Sequence, residues 1–261
     1  RAADVADAAA KLDDDAKLLA GGMTLLPTMK QRLASPEVLV DLADCGLSGI
    51  EDTGDAIKIG AMTRHVDVER SEIVQRAIPG LAALASHIGD RQVRNRGTIG
   101  GSLAHADPAS DLPATTLALG ATYVVQGPNG TREIPAGSFY EGYLTSVLAA
   151  DEMLTEIRVP KMNGAGWSFQ KFNRRAQDWA IVGVAAWRNG SDAGVALVNM
   201  ASVPVLATSV GSAIASGASI EDAAEQAAAE ADPQADLNAS VEYRQHLARV
   251  LTRRALEEAS A

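Results

Sequence analysis

Cysteine is almost missing from this sequence, because Cys45 stands alone among 261 residues. One thiol excludes an internal disulfide, a thiolate zinc finger and an iron–sulfur cluster ligated by this chain alone. The four histidines are scattered and lack the close spacing and carboxylate companions of metal sites. We therefore predict no metal site here. Any redox centre should be an organic cofactor or belong to a partner.

The sequence also has no uninterrupted apolar run of the roughly 18 residues that a membrane span requires. Its opening residues, RAAD, lack the basic-then-apolar order of a secretion signal, so we expect a cytoplasmic protein. Basic residues are in the minority, 23 against 33 acidic ones, and the net charge of −10 disfavours nucleic acid as a partner. With 47% hydrophobic residues, the chain can form one large domain or two modest ones.

Helix and strand patterns alternate along the first 160 residues. Two strands with a helix between them form a β-loop-α-β unit near the start, and a Gly-Pro-Asn-Gly turn at 127–130 predicts a hairpin. Helices are predicted over 2–12, 24–33 and 79–88, and strands over 17–20, 38–40, 56–61, 122–125, 131–134 and 152–159.

A polar, glycine-containing segment at 161–166 marks the predicted domain boundary. Three strands and then three helices follow it, an order typical of an α+β module. The strands are predicted over 167–172, 180–187 and 195–202, and the helices begin at Pro204, after Ser219 and after Ser240.

Two glycine pairs could bind an anion. Gly21-Gly22 lies between a predicted strand and a predicted helix, where backbone N–H groups can converge on a phosphate. Glycine also permits a positive φ and a close approach of the main chain. An ordinary tight connection between strand and helix is the alternative.

The second pair, Gly100-Gly101, lies in the segment 89–111, which contains only three large aliphatic residues. Such a segment is costly to order unless something binds it. Its glycine N–H groups, the hydroxyls of Thr98 and Ser102, and a carboxylate of Asp107 or Asp111 could supply that binding. A surface Ω-loop is the alternative.

Three motifs in order make the sequence recognisable: AGGMTLLP at 20–27, the segment 89–111, and DWAIVGVAA at 178–186. Together they resemble the FAD-binding medium subunit of the xanthine dehydrogenase and carbon monoxide dehydrogenase family of molybdenum hydroxylases. The resemblance covers nearly the whole chain, up to YRQHLARVL at 243–251, and the chain begins later than is usual in that family.

The resemblance implies an α+β fold. Residues 1–160 are expected to form a PCMH-type FAD-binding domain of two α+β subdomains, at about 1–52 and 53–160. Residues 167–261 are expected to form a C-terminal domain of the carbon monoxide dehydrogenase flavoprotein type, with a small antiparallel sheet and three helices.

The resemblance also implies the cofactor contacts. In the family both glycine motifs wrap the FAD pyrophosphate, an Asp follows the second motif, and an apolar strand residue lies near the flavin. A Lys after the linker contacts FAD in some relatives, and an aromatic residue can lie against the flavin ring; Trp179 could instead anchor the core. The contacts implied here are Ala20, Gly21, Gly22, Met23, Thr24, Leu25, Thr98, Ile99, Gly100, Gly101, Ser102, Asp111, Leu154, Lys171 and Trp179.

No residue of this chain is assigned a catalytic role. His105 is expected to hydrogen-bond within its loop, because a flavin that receives electrons from a partner needs no general base here. Arg91, Arg94 and Arg96 could bind phosphate, meet an acidic partner or hold the loop.

The resemblance implies a flavoprotein subunit that relays electrons from [2Fe–2S] clusters of a small partner subunit, through FAD, to a quinone, NAD or oxygen. The molybdenum–pterin cofactor would belong to a large subunit, in a dimer of heterotrimers. A quinone acceptor would bring the complex to the inner face of the membrane. The substrate pocket would lie on another chain, and carbon monoxide is the first candidate. Two alternatives stay open: a stand-alone FAD-dependent oxidase or reductase, and an assembly subunit that has lost FAD.

Overall fold

The computed structural model of the chain describes residues 1–13 and 15–260. Short 3₁₀ turns lie at Ala136–Ser138 and Gln226–Ala228. The helices are α1 (Val5–Ala9), α2 (Leu25–Lys30), α3 (His65–Arg70), α4 (Glu72–Ala77), α5 (Pro79–His87), α6 (Arg91–Arg96), α7 (Ile99–His105), α8 (Asp111–Ala118), α9 (Thr208–Ala215), α10 (Ile220–Glu225) and α11 (Val241–Glu258). The strands are β1 (Ala16–Leu19), β2 (Val38–Asp41), β3 (Ile50–Asp52), β4 (Ala56–Gly60), β5 (Thr122–Gly127), β6 (Gly130–Pro135), β7 (Tyr140–Gly142), β8 (Thr145–Ser146), β9 (Met153–Pro160), β10 (Gly166–Phe172), β11 (Val182–Asn189), β12 (Asp192–Val198) and β13 (Val205–Leu206).

The first strand pair is the predicted β-loop-α-β unit. β1 and β2 run parallel, from the pair Ala16 and Val38 to the pair Leu19 and Asp41, and α2 connects them. Helices α1 and α2 are both shorter than predicted. Helix α1 begins only after its N-cap Asp4, whose carboxylate accepts a hydrogen bond from the Asp7 N–H. The first glycine turn, residues 20–25, therefore lies at the carboxyl end of the parallel strand β1.

A five-stranded antiparallel sheet follows, in the order β3-β4-β9-β5-β6. The predicted hairpin is confirmed, because β5 and β6 pair down to Gly127 and Gly130. Ile57, Ile157 and Tyr123 are completely buried where the sheet meets helices α3, α4, α5, α7 and α8. This sheet and its helices support the second glycine turn, which we define as residues 96–102 around the start of α7.

The segment 89–111 is largely helical, so the alternative of a surface Ω-loop is wrong. It forms α6, α7 and the start of α8. Side-chain caps begin two of these short helices: the Asp90 carboxylate accepts from the Val93 N–H at 2.8 Å, and the Thr98 hydroxyl accepts from the Gly101 N–H at 3.1 Å. Ile99 is completely buried and anchors α7. Helices of six or seven residues depend on such caps and tertiary contacts, because their intrinsic propensity is too weak.

The C-terminal part is an antiparallel sheet, β10-β11-β12-β13, covered by α9, α10 and α11. The predicted three helices are present, and the Ser219 and Ser240 hydroxyls cap α10 and α11 as expected. The first helix begins at Thr208 rather than Pro204, because Val205–Leu206 pairs with β12 as an edge strand.

The C-terminal sheet packs directly on the first domain. Helix α8 lies against β11 and β12, and the Trp187 indole Nε1 donates to the Ala118 carbonyl at 2.6 Å. The Trp167 ring is so close to Gly80 that a Cβ there would lie 2.7 Å from it. The predicted limits, 1–52, 53–160 and 167–261, stay predictions. Among the described residues, no helix is long and apolar enough to cross a membrane.

Candidate functional site

The first glycine turn has a row of unused backbone donors. Gly22 has a φ of +73°, a conformation that favours glycine. Within the described part of the chain, the N–H groups of residues 21–25 donate no hydrogen bond, and all five residues are at least partly exposed. Consecutive N–H groups at the end of a strand can receive an anion, and the start of α2 adds a favourable dipole.

The two glycine turns touch each other. A Cβ on Gly21 would lie 2.1 Å from the Arg96 carbonyl oxygen and 2.8 Å from the Gly97 Cα. A Cβ on Gly101 would lie 3.5 Å from the Cβ of Ala20. Two segments far apart in the chain thus form one continuous surface.

The backbone donors of the second turn are occupied, which corrects our expectation that its glycines offer free N–H groups. The N–H of Ile99 donates to the Thr63 carbonyl and that of Gly100 to the Ala61 carbonyl, both at 2.9 Å. The Gly101 N–H donates to the Thr98 hydroxyl. Gly100 serves packing, since a Cβ there would lie 2.5 Å from the Cβ of Ala61.

Only part of the second motif therefore reaches the surface. Thr98, Ile99 and Gly100 are buried, whereas Gly101 and Ser102 are half-buried. A ligand can contact two groups there: the exposed backbone of Gly101, which carries no side chain, and the Ser102 hydroxyl.

His65 lies under this motif and had no signal in the sequence beyond being a lone histidine. Its Nε2 is 3.2 Å from the Ser102 hydroxyl, and a Cβ on Gly97 would lie 2.9 Å from its ring. Burial and, to a smaller extent, the nearby Arg94 charge together lower the pKa of His65 to about 4. The ring is therefore neutral at pH 7, and one of its nitrogens is an acceptor.

Asp111 and Lys171, both expected to contact FAD, form an ion pair between the two domains. Lys171 Nζ lies 2.8 Å from Asp111 Oδ2, joining β10 to α8. Asp111 is 7% exposed, and burial raises its pKa while Lys171 opposes that shift. The other carboxylate oxygen, Oδ1, is buried with no hydrogen-bond partner among the described residues. A buried acceptor of this kind is costly to leave unpaired, so it suits a ligand donor.

The two remaining contacts implied by the resemblance differ in exposure. Leu154 is buried in the main core on β9. Trp179 is 60% exposed and so does not anchor the core. The loop that carries it is held by the Asn199 side chain, whose Nδ2 donates to the Ala180 carbonyl at 2.8 Å. Trp179 is therefore free to contact a ligand or a partner.

Among Arg91, Arg94 and Arg96, Arg94 holds its segment in place through side-chain contacts. Its Nε lies 3.2 Å from the Glu69 carboxylate, and its guanidinium donates to the Ile88 carbonyl. Arg91 and Arg96 are exposed. Across residues 1–13 and 15–260, no group of three or more His, Cys, Asp or Glu residues is arranged to hold a metal ion.

Two family models match the chain end to end. Residues 1–162 match the FAD binding domain in molybdopterin dehydrogenase, and residues 167–259 match the CO dehydrogenase flavoprotein C-terminal domain. The carbon monoxide dehydrogenase medium chain of Hydrogenophaga pseudoflava is 41% identical over 96% of this chain and 91% of its own. The nicotine 6-hydroxylase medium subunit of Paenarthrobacter nicotinovorans is 37% identical over 95% of this chain and 91% of its own.

Solved structures agree over the whole fold. Carbon monoxide dehydrogenase from Hydrogenophaga pseudoflava, in a form lacking the Mo-pyranopterin moiety, superposes with a TM-score of 0.95 at 40% identity, covering 99% of this chain and 95% of that one. Quinoline 2-oxidoreductase from Pseudomonas putida 86 gives 0.92 at 31% identity over 99% and 95%. The chain belongs to the family of FAD-binding medium subunits of molybdenum hydroxylases and is thus a flavoprotein subunit of an oxidoreductase.

Proposed function

We propose that this subunit holds FAD as an electron relay between [2Fe–2S] clusters of a partner subunit and an external acceptor, which is a quinone, NAD or oxygen. The observation that carries the proposal is the contact between the two glycine turns, with the unused N–H row of residues 21–25 beside it. Bound there, FAD supplies the conversion between one-electron and two-electron transfer.

The residues fit this cofactor. The N–H row can bind the pyrophosphate, because it offers consecutive donors and no acidic side chain lies within residues 20–25. Gly101 and Ser102 would form the opposite wall, and Oδ1 of Asp111 would accept from a cofactor hydroxyl. The full proposed set, which includes residues that hold the contacting groups in place, is Ala20, Gly21, Gly22, Met23, Thr24, Leu25, Thr98, Ile99, Gly100, Gly101, Ser102, Asp111, Leu154, Lys171 and Trp179.

A partner must supply the iron–sulfur clusters, since Cys45 is the only cysteine in the sequence and it is buried. The names of the relatives, a medium chain and a medium subunit, support the presence of further subunits. We propose that these are a small iron–sulfur subunit and a large molybdenum subunit, in a heterohexamer built as a dimer of heterotrimers. We propose a cytoplasmic complex, which a quinone acceptor would bring to the inner face of the membrane.

The substrate would bind on the large subunit. Relatives with similar sequence identity to this chain are named for carbon monoxide and for nicotine. Sequence identity of the medium subunit therefore does not discriminate between substrates. Carbon monoxide is the substrate we would test first.

Spectroscopy of the isolated chain and of the complex tests the relay. The purified chain should bind FAD and show the visible absorption bands of protein-bound flavin. Addition of carbon monoxide, or of another substrate of the complex, should bleach those bands only in the presence of the partner subunits. A chain without flavin would support the assembly-subunit alternative. Turnover by the isolated chain would support the stand-alone enzyme.

A further inference from the structure

The ion pair between Asp111 and Lys171 crosses from one domain to the other, and both residues belong to the set proposed for FAD. Lys171 is 20% exposed and its ammonium already lies 2.8 Å from the Asp111 carboxylate. Asp111 Oδ1 remains without a partner among the described residues. The lysine thus has a protein partner, and the free acceptor belongs to the aspartate.

We propose that Lys171 is a positioning residue that acts on FAD through Asp111, by holding its carboxylate ionised and oriented so that Oδ1 accepts a hydrogen bond from a cofactor hydroxyl. This inference rests on the proposed function. It differs from a direct contact of the lysine with the cofactor, and it makes FAD retention depend on docking of the C-terminal sheet.

The charges around Asp111 support this division of roles. Lys171 from β10 and His87 from α5 favour its ionised form, whereas Asp107 opposes it. Lys171 is the only one of these that contacts the carboxylate through an ion pair in the described residues. Without it, burial would favour the protonated acid. A carboxylate accepts a hydrogen bond about twice as strongly as a neutral group, so protonation should weaken FAD binding.

The test is the FAD dissociation constant of the full chain as a function of pH, measured by flavin fluorescence. The FAD dissociation constant of the wild type should be nearly independent of pH between about 6 and 8. Lys171→Met should bind FAD about tenfold more weakly at pH 6, and it should recover affinity as pH rises and Asp111 ionises. Lys171→Arg should behave as wild type.

Lys161→Met is the matched control. Lys161 is 21% exposed and forms an ion pair with Asp52 at 2.7 Å, outside the proposed site. Its variant should keep the wild-type affinity and pH profile.

Asp111→Asn supplies the second half of a double-mutant cycle. Lys171→Met added to Asp111→Asn should weaken binding no further and show no recovery with pH. A pH-independent loss in Lys171→Met, additive with Asp111→Asn, would instead mean direct contact with FAD and overturn the inference. An infrared band of a protonated carboxyl should appear in FAD-free Lys171→Met at pH 7. Its absence would also overturn the inference. A wild type that binds no FAD would overturn the proposed function itself.

Discussion

Gly21 lies against the backbone of a distant segment, and this contact decides what the position tolerates. Its own φ is outside the left-handed region, so another residue could adopt its backbone conformation. Instead, there is no room for a side chain, because a Cβ on Gly21 would lie 2.1 Å from the Arg96 carbonyl oxygen. At this residue, glycine is required by contact between the two turns.

Gly21→Ala should therefore separate the turns and weaken FAD binding by at least about tenfold. Backbone must move, since a carbonyl oxygen cannot rotate away as a flexible side chain does. Gly142→Ala is the control, because no atom lies within 4 Å of a Cβ at that glycine. Titration with FAD would measure the affinity of both variants, and equal affinities would contradict the proposed contact.

His65 should make the chain sensitive to acid. Its pKa is about 4 in the fold and near 6.5 when unfolded, so the unfolded chain binds more protons between those values. The free energy of unfolding should then fall as pH decreases through this window, by about 3 kcal/mol at pH 4. His65→Asn should flatten that part of the urea-unfolding profile, whereas the exposed His246→Gln should not. An unchanged slope in His65→Asn would show that the ring titrates normally.

At the level of elements, α7 contains the second glycine pair and anchors it on the sheet through buried Ile99 and Leu103. Thr98 has two functions there, since its hydroxyl caps the Gly101 N–H and its backbone bridges to Arg64. The cap keeps Gly101 facing Ala20, so stability of the helix and shape of the site share one side chain.

Thr98→Ala should lower the free energy of unfolding by about 1 kcal/mol and also weaken FAD binding, while Thr98→Ser should retain both. Ser240→Ala removes the cap of α11 and should cost a similar stability without changing FAD affinity. Urea unfolding and FAD titration would separate the effects. Equal FAD affinities in Thr98→Ala and Ser240→Ala would mean that the cap is irrelevant to the site.

In the molecule as a whole, the two domains share buried surface. The main core includes Ala185 and Val198 of the C-terminal sheet together with Leu112 and Ala114 of α8. Because such a joint core couples its parts, we expect both domains to unfold in one transition.

Trp187→Phe should lower the free energy of unfolding by about 1 kcal/mol or more, because the Ala118 carbonyl loses its indole donor. The transition should stay single in calorimetry. Trp179→Phe makes the same chemical change on an exposed side chain and should leave stability nearly unchanged. Two separate transitions in wild type would contradict the shared core.

The sequence by itself determined the alternation of strands and helices, the hairpin at 127–130, the caps at Ser219 and Ser240, and the position of both glycine pairs. These features depend on local periodicity, turn residues and side-chain caps, which act within a few residues. The family resemblance also depended on local motifs.

Only the tertiary structure decided what those motifs touch. Within 89–111, helix α7 is held in place because buried Ile99 and Leu103 pack on a sheet whose strands are distant in sequence. The N–H groups of Gly100 and Ile99 are used by residues 61 and 63, His65 lies below Ser102, and Lys171 pairs with Asp111. Each contact joins segments 35 or more positions apart, and no local pattern encodes such a pairing.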